Sequence, residues 1–183
     1  MKYWKTPTPE QLSKAIAQIA HFEHRKYFFG KLDNPEWVEP LSKKNVFSTP
    51  PQAIRDETRG TIVFPPWPEG EYLGRMAKSK PNLVCQIILK IQTDNFWAHE
   101  SFIDAALAMS GKLAAQIGEK EIVWIKQLQY LYRLLPDKLG LLIAHLAQQA
   151  ECDTALELTA ILLKPQAHTP KANNGSSGFA VRK

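Results

Sequence analysis

Cysteine is nearly absent from this 183-residue chain: Cys85 and Cys152 are the only two, far apart and without the paired spacing of a disulfide framework or a metal knuckle. Both read as buried, reduced thiols acting as small hydrophobes, which fits a cytoplasmic location. Long apolar runs are missing too. No stretch reaches the eighteen or so residues needed to cross a bilayer, and no continuous apolar core follows the N-terminal lysines, so neither a membrane span nor a secretory leader is expected. Catalytic signatures are equally thin. His21 and His24 stand three apart with Glu23 between them, whereas the zinc-protease pattern needs two histidines four apart with glutamate beside the first. Gly111-Lys112 lacks the earlier glycine and the following Ser or Thr of a phosphate loop, and Gly175-Ser176-Ser177-Gly178 has the composition of a linker. His99, Glu100 and Asp104 form an acid–base trio along one helix, and His145 sits beside an apolar stripe, but no second motif converges on either. These gaps leave no catalytic residue, no metal ligand and no cofactor to assign, and the chain reads as non-enzymatic.

Charge of one sign is also in short supply where it would matter. The formal balance is +5, but residues 1–80 carry thirteen basic against nine acidic side chains, residues 81–164 seven against nine, and the last nineteen residues three against none. A phosphate-binding surface wants a concentrated stripe, because affinity comes from releasing counterions at several contacts together. The best local candidates are Arg25, Lys26, Lys31, Lys43 and Lys44 beside Tyr27 and Phe28, with Glu23, Asp33 and Glu36 close enough in sequence to balance them. They define the alternative reading, a nucleic-acid-binding helical module that also uses the basic tail.

What the chain does have is helical rhythm. Leu83, Val84, Ile87, Ile88 and Ile91 recur at three- and four-residue steps behind Pro81, which suits a first helical turn. Asp94 is the expected N-cap of a following helix with Phe96, Ile103, Ala106 and Leu107 inward, closed by Ser110 and Gly111. After Gly118 the stripe Ile122, Ile125, Leu128, Leu131 and Tyr132 runs to Pro136, which breaks it. Leu139, Leu142, Ile143 and Leu146 form the next helix, and Leu156, Ile161 and Leu162 the last, capped by Asp153 or Thr154 and stopped by Pro165. Short connections make neighbours antiparallel, so the expected fold is mainly α: antiparallel helix pairs stacked as a short α-solenoid or an irregular helical bundle. At 44% hydrophobic content, 183 residues can bury a core without disulfides or metal, and residues 1–165 read as a single helical domain.

Before Pro81 the composition changes. Thr8, Pro9 and Gln11 make a capping box, Leu12, Ile16 and Ile19 a stripe, and Gly30 a helix stop after Phe28 and Phe29. Asn34-Pro35 reopens a short helix with Trp37 and Leu41. Residues 45–68 hold Pro50, Pro51, Pro65, Pro66 and Pro68, too many for regular structure, and read as a Pro-rich N-terminal arm in which only Thr61 to Phe64 resembles a strand. A further helix with Tyr72, Leu73 and Met76 joins the second half. Residues 166–183 have too little apolar surface to offset chain entropy and read as a flexible tail or linker.

The stretch from Phe28-Phe29-Gly30-Lys31-Leu32-Asp33-Asn34-Pro35-Glu36-Trp37 to Leu41, followed by Phe47, Pro50-Pro51, Trp67, Tyr72-Leu73 and Met76, resembles the opening of HEAT/armadillo-like helical-repeat regions in large bacterial multidomain proteins, some associated with defence against phage. The resemblance covers about residues 20–110. It implies a helical scaffold, with no catalytic residue to carry over, and the chain departs from it in ending soon afterwards with a tail. Together these readings give a protein–protein binding or scaffold module. Its expected partner is another protein or further domains of the same system, with no membrane, and its contact surface is Trp37, Trp67, Tyr72 and Arg75.

Overall fold

The computed structural model describes residues 6–128, 130–163 and 180–182. Its fold is mainly α, with helices packed against one another around one hydrophobic cluster that runs from Leu12 to Leu158. The N-terminal part holds α1 (Pro9–Gln18), α2 (Phe22–Lys31), a 3-10 turn (Pro35–Trp37) and α3 (Val38–Lys43). The arm carries β1 (Ile54–Asp56) and β2 (Thr61–Val63). Then come α4 (Pro68–Met76), α5 (Pro81–Lys90), α6 (Phe96–Leu107), α7 (Gly111–Gln127), α8 (Tyr130–Leu134), α9 (Pro136–Gln148), α10 (Cys152–Leu163) and β3 (Ala180–Arg182). No described helix is long and apolar enough to cross a membrane.

The local punctuation explains most boundaries. Thr8 and Gln11 close the capping box of α1, and proline opens α1, α4, α5 and α9, where its missing N–H costs nothing. Other boundaries differ from the sequence reading. Gly30 lies inside α2, which continues to Lys31. The cap of α6 is Asn95, not Asp94, because the Asp94 carboxylate is taken by the arm. Leu107, not Ser110 or Gly111, ends α6, and Gly111 opens α7. α7 runs straight through Gly118, where a Cβ would stand 2.9 Å from Thr154 Cγ2 and 3.4 Å from Leu146 Cδ1. That glycine lets α7 approach α9 and α10; it does not end a helix. Cys85 is buried as expected, whereas Cys152 is exposed at the start of α10.

β1 pairs antiparallel with β2, Arg55 opposite Ile62, and β3 lies parallel to β2 with Ile62 opposite Val181. The strand at Thr61 was legible in the sequence, but its partner Ile54–Asp56 was not. The flexible tail expected over 166–183 falls outside the described residues except at 180–182, where β3 lies. The helical layer is built by α2 on α4, α4 on α6, α6 on α7 and α9, α5 on α7, and α10 on α7 and α9.

Candidate functional site

α4 and α6 frame a groove of about 440 Å³. Glu71, Gly74 and Arg75 come from one turn of α4, and Trp97, Glu100, Ser101 and Asp104 from successive turns of α6, at the three- and four-residue steps that place side chains on one helix face. Trp67, just ahead of α4, closes one end. Its indole lies over Gly70, where a Cβ would meet Trp67 Cε3 at 2.1 Å, and packs edge-on against Phe102 at 5.9 Å. At Gly74 a Cβ would fit in ordinary contact, 3.6 Å from the Ser101 carbonyl oxygen.

The start of α6 is held by the arm. Asn95 Oδ1 accepts from Trp97 N at 2.8 Å, while Asn95 Nδ2 donates to the carbonyls of Pro51 (2.9 Å) and Pro65 (2.8 Å). Trp97 Nε1 donates to Phe64 O at 3.0 Å. The arm is therefore folded back and tied along its length to the helical layer, and Trp97 stands half-buried at the groove with its N–H already satisfied.

The charges in the groove fall into two kinds. Arg75 Nη2 donates to Phe29 O at 2.5 Å and Leu32 O at 3.4 Å, which places its cation at the C-terminal end of α2, where the helix dipole favours it. Asp104 accepts from Lys138 Nζ of α9. Glu71 and Glu100 have no hydrogen-bond or ion-pair partner among the described residues. The groove thus offers two uncommitted carboxylates beside a half-buried indole, a lining suited to a cation that brings its own donors. No group of three His, Cys, Asp or Glu side chains among the described residues is placed to hold a metal ion.

The residues expected to form an exposed contact surface are distributed differently. Trp37 is 1% exposed, Trp67 2% and Tyr72 0%, so the three aromatics belong to the core. Trp37 packs against Phe28, and Tyr72 donates its hydroxyl to Asn34 O at 2.7 Å, with burial pushing that phenol above its ordinary range. The correction has a simple cause: rings of this size bury 150–250 Å² each, and that area is worth more inside than out. Trp67 still lines the groove by one face and Arg75 is exposed there, so two of the four residues reach it. Trp67 Nε1 is the one buried side-chain polar atom among the described residues with no hydrogen-bond partner.

The acid–base trio is split. His99 turns inward, fully buried, with Nδ1 at 2.8 and 3.0 Å from the two Glu121 carboxylate oxygens and Nε2 at 2.9 Å from Thr93 O. A carbonyl can only accept, so Nε2 carries a proton, and one further proton is held between Nδ1 and the carboxylate. Glu100 and Asp104 face the groove on the other side. His24 Nδ1 meets Gln18 O at 3.0 Å, and His145 Nε2 meets Met109 O at 3.0 Å.

Of the five basic candidates, Arg25, Lys26 and Lys31 lie on α2, and Lys43 and Lys44 at the end of α3. Arg25 is spent on the buried Glu69 carboxylate at 2.5 Å, and Lys43 pairs with Glu39 one turn back. Burial raises the Glu69 carboxyl above its ordinary range, with the Arg25 charge opposing the rise. Lys26, Lys31 and Lys44 remain exposed. No protein-family model, curated protein or solved structure matches this chain.

Proposed function

We propose that this chain is a non-enzymatic protein-binding module in which the groove between α4 and α6 receives basic side chains of a partner protein. The observation that carries the reading is the pair of uncommitted carboxylates, Glu71 and Glu100, set beside Trp97 in a concave site whose remaining charges are already engaged. A lysine or arginine inserted there gains charge-assisted hydrogen bonds together with an aromatic face, a combination that water alone does not match. The setting this reading implies is a cytoplasmic helical scaffold, HEAT-like in its stacking, within a larger bacterial multicomponent system. The nucleic-acid alternative is weaker, since Arg25 and Lys43 are paired with Glu69 and Glu39, which leaves Lys26, Lys31 and Lys44 of the five candidates, with the basic tail, to meet phosphates.

A peptide array probed with the full chain tests the proposal. Captured peptides are expected to carry lysine or arginine, and the doubly substituted Glu71→Gln/Glu100→Gln chain, with unchanged helical circular dichroism, is expected to lose at least about tenfold in signal, since each glutamine keeps an acceptor but loses the charge, at about 1 kcal/mol per bond. Equal capture by both chains contradicts it. So does capture of single-stranded RNA that weakens steeply with salt and disappears when Lys26, Lys31 and Lys44 are replaced.

A further inference from the structure

α4 and α6 run side by side in the same direction. A Cβ on Gly70 would stand 2.9 Å from Ser101 Oγ, and one on Gly74 would stand 3.7 Å from Asp104 Cβ and 4.0 Å from Ala105 N. Glu71 therefore lies level with Glu100 and Ser101, and Arg75 one turn further on, level with Asp104. The two ends of the groove differ electrically. At the first, Glu71 and Glu100 have no partner among the described residues. At the second, Asp104 is matched by Lys138, so the charge of Arg75 is left over.

Glu71 and Arg75 stand four residues apart on one face of α4, the spacing that ordinarily lets a carboxylate and a guanidinium pair. They form no ion pair with each other. Arg75 instead turns Nη2 to the carbonyls of Phe29 and Leu32 at the end of α2. Those oxygens satisfy a donor without cancelling a full charge, and Asp33, next along the chain, is exposed and makes no ion pair with Arg75. Nε and Nη1 have no partner among the described residues, so the guanidinium is fixed at one corner and keeps unspent N–H donors.

We infer that the groove reads a dipolar determinant: a basic side chain at Glu71 and Glu100 and, on the same partner segment, a carboxylate held by Arg75. This deepens, and rests on, the assignment of the groove to basic side chains. The helix sets the spacing. Four residues of α4 rise about 6 Å, and alternate residues of an extended chain lie about 6.5 Å apart on one side. An extended segment whose basic and acidic residues are two positions apart thus meets both ends at once, whereas adjacent residues point to opposite sides. A carboxylate is also the group that the planar guanidinium fork suits best.

Calorimetric titration of the full chain with blocked peptides tests the inference. The set is Gly-Gly-Lys-Ala-Glu-Gly-Gly, its variants with glutamine for the lysine, the glutamate or both, and an isomer with lysine and glutamate adjacent. The first peptide is expected to bind best, and loss of its glutamate to cost about threefold to fivefold, the range of an exposed ion pair. On the Arg75→Gln chain that cost is expected to vanish while the preference for lysine persists, and Arg75→Lys, which keeps the charge, is expected to restore part of it. Equal binding with glutamate or glutamine on the wild-type chain, or equal binding of the adjacent isomer, overturns the inference and leaves the basic-side-chain reading standing. So does a glutamate preference that survives Arg75→Gln, or a uniform loss across all peptides, which would assign Arg75 to the fold alone. Peptides that bind no better with lysine than with glutamine, or not at all, overturn both.

Discussion

Glu121 occupies the same helical position as Ile117 and Ile125, four residues from each, and it is as deeply buried as they are. A carboxylate in that stripe is costly unless paired, and His99 pairs it from α6 while Phe102 and Trp124 close edge-on around the imidazole. Both residues were legible as members of buried faces, since His99 stands three and four residues from Phe96, Phe102 and Ile103. Their meeting was not legible, because it depends on how α6 lies across α7. The sequence trio failed for the same reason. His99, Glu100 and Asp104 share a helix, but His99 takes the core side and the two carboxylates the groove side. Removing one partner of a buried pair strands the other, so His99→Leu is expected to destabilise the protein by about 3–5 kcal/mol. The double replacement His99→Leu/Glu121→Leu is expected to recover most of that loss, because it leaves no buried charge, and urea denaturation of the three chains measures the difference.

At the scale of elements, capping chemistry was readable and close approach was not. Thr8 with Gln11, Asn34 with Pro35 and the prolines of α4, α5 and α9 mark their helices because the signal lies within a few residues of the boundary. Gly118 looked like a boundary because nothing near it in sequence reveals Thr154 and Leu146 across the interface. The arm is the same lesson in reverse: five prolines announced irregular backbone, while the bonds that fix it come from residues some thirty to forty positions away. Besides Asn95, these include Ala53 N donating to Asp94 Oδ1 at 2.8 Å and Arg55 on Asp94 Oδ2 at 2.7 Å; Asp94 is in turn held by Tyr130, whose hydroxyl donates to Asp94 O at 2.8 Å.

That attachment has a pH signature. Burial, then the nearby Asp94 charge, pushes the Tyr130 phenol from 10.0 up to about 12. A folded pKa above the unfolded one means that the hydroxyl's contribution is complete below pH 10 and is lost as the pH rises through 12. Urea midpoints measured from pH 8 to 12 are therefore expected to fall above pH 10. Tyr130→Phe is expected to cost about 1 kcal/mol at neutral pH and to make that alkaline fall shallower. An alkaline fall of the same slope in Tyr130→Phe would remove Tyr130 from the arm's attachment.

For the molecule as a whole, the mainly α fold followed from hydrophobic spacing. The position of the candidate site did not, because large aromatics carry no mark that separates a contact from a core. Trp37, Trp67 and Tyr72 were read as an exposed surface and instead fill the interior. The candidate site arises where α4 and α6 leave Glu71 and Glu100 without partners beside Trp97. Two uncommitted carboxylates can be recognised only once every other charge has been assigned. The most direct measurement is an ¹⁵N NMR titration of the full chain with a lysine-containing peptide captured on the array. Capture at the groove is expected to shift the Trp97 indole N–H and the Gly74 and Ser101 amides while leaving the amides of α10 in place. Peptide binding that moves the α2 and α3 lysines, with those three signals unchanged, would contradict the account.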